Sequence, residues 1–487
     1  MALHVAVEVV RESETSLTSQ IQHFIKKEIS EGILHPGTRL PSSRRLADDL
    51  AVSRSVVVEA YGQLVAEGYL EAVQGAGTRV VRHLDAEPAV VPALLDEGRI
   101  PAVRWDLRPG GRNFPAFPRR EWLGCYQRVL HAAGPADHDY PPLAGAPALR
   151  VELGHYLGRL RGVRTTADQV MVVAGFAQAL GLLCAVLPDL GIGALGIEDP
   201  GHPGQRRFVH GSGLRTVPLP VDEEGIDVDA LAASGVRAVL VTPAHQYPTG
   251  VTLSARRREA LVRWARERDG WVIEDDYDGG LWYERGATRP LALQRTAPDR
   301  VVHAGTASKS LAPGLRLGWL AAPRPLLDRL LRARARHDLG TETLTQLAFA
   351  EFLRSGLFDR HLRRLNALCR SRRETLDEAV RGHLPGAEVV GRAAGLHAYV
   401  RLPRDTDEAA LVAGALRRSV LVRGGAAFHV RPGGGAPALV VGHAHLPRAG
   451  VAEAVREVAE AVREVAAVRR SPASAGSSPA SQDRRWS

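Results

Sequence analysis

Residues 271–280, WVIEDDYDGG, and 303–323, HAGTASKSLAPGLRLGWLAAP, decide how the chain folds. Each contains a short run of apolar and β-branched residues and then breaks at glycine or proline, the pattern of a buried strand feeding a loop. In the first, the two-residue period of a strand puts Ile273, Asp275 and Tyr277 on one face. A carboxylate and a phenol therefore leave the strand end together. In the second, Lys309 follows an apolar strand, within a loop that also carries Thr306, Ser308 and Arg316. Working outward, QVMVVAG precedes AQALGLLCAVL, RAVLVTP precedes SARRREALVRWARER, and RVVHAG follows GWVIEDD. Strands alternating with amphipathic helices predict an α/β domain with a mainly parallel sheet over residues 105–468.

The lysine stands out by composition. Of the 487 residues, 63 are basic, but only Lys26, Lys27 and Lys309 are lysine. Arginine stays protonated and cannot form a Schiff base at neutral pH, whereas an amine can. One lysine inside a long stretch that otherwise uses arginine points to chemistry, although Lys26 and Lys27 also persist on a surface helix. A carboxylate such as Asp275 at a strand end suits a pyridinium nitrogen, keeping it protonated so that the ring acts as an electron sink. Tyr277 is in place for a ring hydroxyl. Thr306, Ser308 and Arg316 suit a phosphate ester. Gly175 ends a strand and opens a helix, whose first amides would face the same phosphate. Lysine, aspartate, tyrosine and phosphate cup together resemble the pyridoxal 5'-phosphate (PLP) enzymes of the aspartate-aminotransferase fold.

The N-terminal stretch, residues 13–81, has a different texture. Ile21, Phe24, Ile25 and Ile29 form a helical stripe, Gly32 and Pro36-Gly37 turn the chain, and Ser42 or Ser43 caps a short second helix through Leu46, Ala47 and Leu50. Ser53 caps a third, with Val57, Tyr61, Leu64 and Val65 facing the core. YLEAV and TRVV, joined by a glycine-rich turn, read as a hairpin. This is a winged helix-turn-helix, alternatively a small helical dimerisation domain. In the first reading the third helix enters the major groove N-terminus first, so Ser53, Arg54 and Ser55 lie nearest the bases. Arg54 suits a guanine edge, and Ser43, Arg44 and the wing residues Gly75, Gly77 and Thr78 suit phosphates. Residues 82–104 contain three prolines and no sustained period, as a linker does. The Ser/Ala/Pro-rich tail, 469–487, is expected to be disordered.

Residues 31–80, from EGILHPGTRLPSSRRLADDL to GTRV, resemble the DNA-binding domain of GntR-type bacterial regulators. Further on, DYPPLAGAPALRVELGHYLGRLRGV, GIEDPGHPG, TPAHQYPTGVTLSARRR, IEDDYD and GTASKSLAPGLRLGW are similar, in order, to the large domain of MocR-type regulators, whose effector domain is aminotransferase-like and binds PLP. The resemblance implies Lys309 as the lysine of the internal aldimine, Asp275 at the pyridine nitrogen and Tyr277 at the ring hydroxyl, with Tyr247 beside the cofactor. It also implies a head-to-tail homodimer acting on double-stranded operator DNA.

Three positions depart from the family pattern. The phosphate-loop turn reads Gly175-Phe176-Ala177-Gln178 instead of Gly-Ser-Gln-Gln, which keeps the backbone amides and loses a hydroxyl donor. His202 replaces an aromatic that would cover the cofactor ring, and either serves that purpose or is an ordinary loop residue. Val440 stands where relatives carry an arginine for the substrate α-carboxylate, with Arg423 or Arg431 as loop substitutes. The expected function is a PLP-dependent transcription regulator that senses PLP, or an amine through an external aldimine. Val440 favours PLP alone or an amine without an α-carboxylate. The alternatives are an active aminotransferase with a fused DNA-binding module, and a regulator whose pocket no longer holds PLP. Three scattered cysteines make no disulfide framework or metal site, so no metal is expected. No secretory signal or run of ~18 apolar residues is evident, so the chain reads as cytoplasmic. The net charge of +9 does not reside in the DNA-binding stretch: residues 1–82 carry nine basic and ten acidic side chains.

Overall fold

In the computed structural model the chain divides into two units, residues 1–101 and 102–487, and residues 15–73, 77–81, 102–110, 116–431 and 433–470 are described. The expected linker lies outside the described residues except for its last three positions. Gly75 of the wing and the tail from Ser471 onward lie outside them as well.

The first unit contains α1 (Leu17–Ser30), α2 (Ser43–Asp49) and α3 (Arg54–Ala66), followed by the antiparallel strands β1 (Leu70–Val73) and β2 (Gly77–Val80). Ser42, not Ser43, caps α2: its hydroxyl accepts the Arg45 amide at 3.3 Å. Ser53 occupies the cap position of α3 but covers no amide there; its hydroxyl bonds instead to that of Ser55 at 2.8 Å. Ile21, Ile25, Leu46, Val57 and Leu64 fill the core, each full burial being worth about 1.5–3 kcal/mol. The expectation for Val65 fails, because it is exposed and Ala60 is buried in its place. The stripe set by Val57, Tyr61 and Leu64 passes through position 60, whereas position 65 lies at its margin.

The second unit is built on one large sheet. Its strands are β3 (Val170–Val173), β4 (Ala194–Asp199), β5 (Arg215–Asp222), β6 (Gly225–Ile226), β7 (Ala238–Val241), β8 (Trp271–Asp276), β9 (Val301–Thr306) and β10 (Gly318–Ala321), in the spatial order β3-β10-β9-β8-β7-β4-β5-β6. The central pairs are parallel, and β10 runs against both its neighbours. Both faces are covered, so strands such as VMVV are apolar at every position. Val170 and Val172 share a core with Trp319 and Phe349, while Met171 and Val173 pack with Leu180, Leu183 and Leu327. Among the covering helices are α4 (Phe176–Val186), which follows β3, and α5 (Pro203–Gly211), which follows β4.

A smaller antiparallel sheet completes this unit, with β11 (Glu388–Val390), β12 (His397–Arg401), β13 (Arg423–Gly424) and β14 (Ala438–Gly442) in the order β11-β12-β14-β13. It packs on α6 (Arg448–Arg470) through Val400, Leu439, Val451 and Val455. Arg104 is bound here, its side chain paired with Glu453 at 3.0 Å. Among the described residues no helix is long and apolar enough to cross a membrane, and no cluster of His, Cys, Asp or Glu is arranged to hold a metal.

Candidate functional site

The carboxyl ends of β3, β4, β7, β8 and β9 meet at one edge of the large sheet, the usual place for a ligand in an open α/β fold. They border a cavity of about 450 Å³. Of the residues singled out from the sequence, Phe176, Ala177, His202, Tyr247, Asp275, Tyr277, Thr306, Ser308, Lys309 and Arg316 line it. Gly175 and Gln178 do not.

Asp275 is the polar centre. One carboxylate oxygen accepts from Gln205 Nε2 at 2.8 Å; the other is buried and, among the described residues, has no hydrogen-bond partner. Burial pushes the Asp275 carboxyl up to about 8, against the pull of Gln205 and with Asp276, Asp278 and Glu198 adding to the rise. Lys309 lines the same space, and a Cβ on Gly110 would lie 3.4 Å from its Nζ, so the backbone at 110 closes over the amine. Burial lowers the Lys309 ammonium, while Asp275 and Asp278 pull the other way. Beneath Asp275, Asp276 is held rigidly: Arg161 donates to it twice, at 2.7 and 2.9 Å, and His303 lies 3.1 Å away. Burial would raise Asp276, but Arg161 and His303 hold it below the usual carboxylate range. This pair anchors the end of β8 that carries Asp275.

At the other end of the cavity, Gly175 takes φ +87°, turning β3 into α4 so that the amides of Phe176 and Ala177 open the helix. The guanidinium of Arg316 lies against it and donates to Ala174 O. Thr306 Oγ1 donates to Ser308 Oγ at 2.9 Å. Helix amides, hydroxyls and one guanidinium make an anion cradle. Gln178 turns away: its carbonyl accepts the Ala174 amide at 2.7 Å and its amide donates to Asp338.

His202 sits at the cavity mouth with its ring 5.2 Å from that of Tyr247. Its Nδ1 accepts the Gln205 amide at 3.2 Å, so Nε2 carries the proton. Partial burial and the Lys309 charge push it down to about 4. Val440 is fully buried with Tyr399 and Phe428, against Tyr247. Arg423 and Arg431 are exposed and neither lines the cavity.

In the first unit, Ser53, Arg54 and Ser55 are exposed at the N-terminus of α3. Arg54 Nε donates to Ser43 Oγ at 3.4 Å, and Arg44 is exposed on α2. Gly77 and Thr78 open β2, where Arg39 approaches Gly77 and bridges to Arg79. Arg39, Arg44 and Arg54 are thus displayed with the hydroxyls of Ser43, Ser53, Ser55 and Thr78 along one helix-turn-helix and its wing.

Residues 115–458 match the family described as "Aminotransferase class I and II", and residues 17–80 match "Bacterial regulatory proteins, gntR family". The "HTH-type pyridoxine biosynthesis transcriptional regulator PdxR" of Corynebacterium glutamicum is 35% identical over 394 residues, spanning 81% of this chain and 85% of its own. The "Probable rhizopine catabolism regulatory protein MocR" of Rhizobium meliloti is 32% identical over 394 residues, spanning 77% and 79%. The chain belongs to the MocR-type transcriptional regulators. The fold of its large unit is shared with the multiple substrate aminotransferase of Thermococcus profundus (TM-score 0.69, 26% identity, 76% of this chain and 93% of that one). LysN, the α-aminoadipate aminotransferase of Thermus thermophilus, has a TM-score of 0.67 at 27% identity, covers 76% and 94%, and was crystallised with N-(5'-phosphopyridoxyl)-L-leucine.

Several residues of this MocR-type regulator's cavity were not legible in the sequence. Gln205 reaches Asp275 from one turn into α5, a contact between separate elements with no local signature. Glu198 lines the cavity wholly buried, accepting from the Thr242 amide at 3.2 Å and from Gln246 Nε2 at 3.2 Å. Burial pushes it up to about 7. The glycine in its motif and the strand-end position were visible signals for Glu198; the burial was not. Arg39 beside the wing was likewise missed.

Proposed function

We propose that this regulator binds PLP in the cavity through Lys309 and couples its occupancy to operator binding by the N-terminal unit. The observation that carries the reading is the buried oxygen of Asp275, unpartnered among the described residues, in a cavity that also holds an amine. Burying a lone carboxylate oxygen is costly unless a donor arrives. A protonated ring nitrogen is such a donor, so the residues present fit the cofactor. When bound, PLP supplies a carbonyl carbon for an amine and a ring that withdraws electrons.

The chain's own groups then have distinct tasks. Asp275 keeps a proton at the ring nitrogen. Lys309, whose ammonium form is disfavoured by burial, offers the amine for attachment. The amides of Phe176 and Ala177 hold the phosphate with Thr306, Ser308 and Arg316. Tyr277 would meet the ring hydroxyl, and His202 with Tyr247 would cover the ring at the mouth of the cavity. Gly175 shapes the cradle through its backbone. Gln178 acts on it only indirectly, through the Ala174 amide.

The effector is PLP itself or an amine lacking an α-carboxylate, because Val440 offers no charge, the cavity's Arg316 is at the phosphate end, and its Arg206 is engaged by the carbonyls of Phe428 and His429. The relationship to a regulator named for pyridoxine biosynthesis supports the first. A head-to-tail homodimer and base contacts from Arg54 complete the reading. Allosteric coupling requires that PLP bind two arrangements of the protein with different affinity.

The test uses the purified chain with PLP and a DNA fragment upstream of its own gene. A visible absorption band, absent in Lys309→Ala, together with a PLP-dependent change in DNA affinity, is the expected result. A colourless protein that PLP cannot reconstitute refutes the reading. Steady multiple turnover with an amino donor and a keto acid would establish an enzyme instead.

A further inference from the structure

Behind Tyr277 lies a buried pair that the reading above does not use. His245 Nδ1 and Asp278 Oδ2 are 2.7 Å apart, with side chains 2% and 4% exposed. The Tyr277 hydroxyl donates to the His245 carbonyl at 3.0 Å and lies 3.1 Å from His245 Nδ1. With Asp278 accepting, Nδ1 carries the proton. That N–H therefore points between the carboxylate and the phenolic oxygen. The fold makes room for the pair: a Cβ on Gly395, where φ is +63°, would lie 2.2 Å from Asp278 Oδ2 and 2.8 Å from His245 Cε1. On its other face His245 packs on His397, ring centroids 5.0 Å apart. His397 is held neutral by burial, and its Nε2 is bonded to Pro248 O at 3.1 Å.

We propose that His245 and Asp278 are positioning residues that hold the Tyr277 hydroxyl at the cavity wall, its single proton resting on the His245 carbonyl until an acceptor in the cavity takes it, and that they set its strength as a donor to that acceptor. A pair serving the fold alone would need no contact with a cavity residue. This one makes its third contact to the one phenol assigned to the ring hydroxyl. An N–H pressed on a phenolic oxygen polarises the O–H, so the two bonds strengthen each other. The other ionisable groups facing the trio are Asp275 and Tyr247 at the cavity, Lys309 across it, and His443 and Arg373 beyond His397.

The inference rests on PLP occupying the cavity, and it predicts a spectroscopic effect. If Tyr277 donates less well, the ring oxygen keeps more negative charge and holds a proton on the Lys309 nitrogen more tightly. The pH midpoint of the visible band then rises. The experiment titrates that band in PLP-loaded full-length protein. His245→Phe is expected to raise the midpoint by about half a pH unit or more. His245→Asn, whose amide can stand in for Nδ1–H, should stay close to wild type. In a Tyr277→Phe background His245→Phe should add nothing. Should His245→Phe fail to fold, Asp278→Asn replaces it, with the same demand that its shift vanish once Tyr277 is phenylalanine. An unmoved midpoint in loaded His245→Phe, or a shift that persists without the Tyr277 hydroxyl, overturns the inference alone. A wild type that takes up no PLP overturns the reading of the cavity and this inference with it.

Discussion

Replacing Asp275 by asparagine should stabilise the PLP-free protein at neutral and alkaline pH while weakening its hold on PLP. In the folded chain burial pushes this carboxyl up to about 8, against an ordinary value of 3.8. Below pH ~4 the group is protonated both folded and unfolded, and its ionisation costs nothing. Between about pH 4 and 8 the unfolded chain releases the proton and the folded chain keeps it. Folding stability therefore falls as pH rises, by about 1.4 kcal/mol per pH unit for one such group. Above pH 8 the cost levels off. Asparagine has no such dependence. Its amide oxygen can take the Gln205 hydrogen bond, but its amide nitrogen replaces the unpartnered oxygen, a fixed cost of about 1–3 kcal/mol. The variant should be equal to or less stable than wild type at pH 5, and its relative stability should climb by about 4 kcal/mol on going to pH 8. Urea unfolding of both PLP-free proteins at several pH values measures this difference, in which all other titrating groups cancel. Added PLP should reverse the order by stabilising wild type far more. A difference that stays flat from pH 5 to 8 would show that Asp275 is ionised in the empty cavity, and the reasoning would fall.

Three other substitutions probe separate parts of the molecule. Arg161→Met strips the buried Asp276 of its double hydrogen bond and should cost about 3–5 kcal/mol in urea unfolding, because an unpaired charge remains at the end of β8. Gly175→Ala puts a Cβ into a backbone at φ +87° and within 3.2 Å of the Arg316 guanidinium; it should weaken PLP binding about tenfold in an absorbance titration, with a backbone penalty of about 1–2 kcal/mol. Arg54→Ala should reduce operator affinity by about 1–3 kcal/mol and relax the base preference at one position, whereas Arg44→Ala should weaken binding to all sequences and lower the salt slope by about one; fluorescence anisotropy at several salt concentrations distinguishes them.

The parts of the site that could be read from the sequence are those carried by single segments. Asp275 and Tyr277 follow from the period of one strand, and Lys309 with Thr306, Ser308 and Arg316 from one loop. Gln205 on Asp275, and His245 with Asp278 on Tyr277, join residues 70 and 32–33 positions apart, and nothing local marks them. Gln178 shows the converse. Its place in a phosphate-loop motif suggested a ligand contact, but Asp338 draws its side chain out of the cavity. Within helices the angular position outweighed hydrophobicity: Ala60 is in the core of the first unit and the larger Val65 is not. The exposure of Arg423 and Arg431 was not legible: Arg423 pairs with Val440 and shares its face of the sheet, but β13 is the edge strand and the long side chain reaches solvent there.

The scarcity of lysine has a practical consequence. Lys26 and Lys27 pair with Glu67 and Glu31 at the surface, and Lys309 alone lies in the second unit. A lysine-specific endoprotease can therefore release the segment 310–487 only by cutting after Lys309. Reductive trapping of PLP on that nitrogen would block the cut, so the yield of one peptide becomes a direct measure of cavity occupancy, needing neither an engineered label nor a known effector.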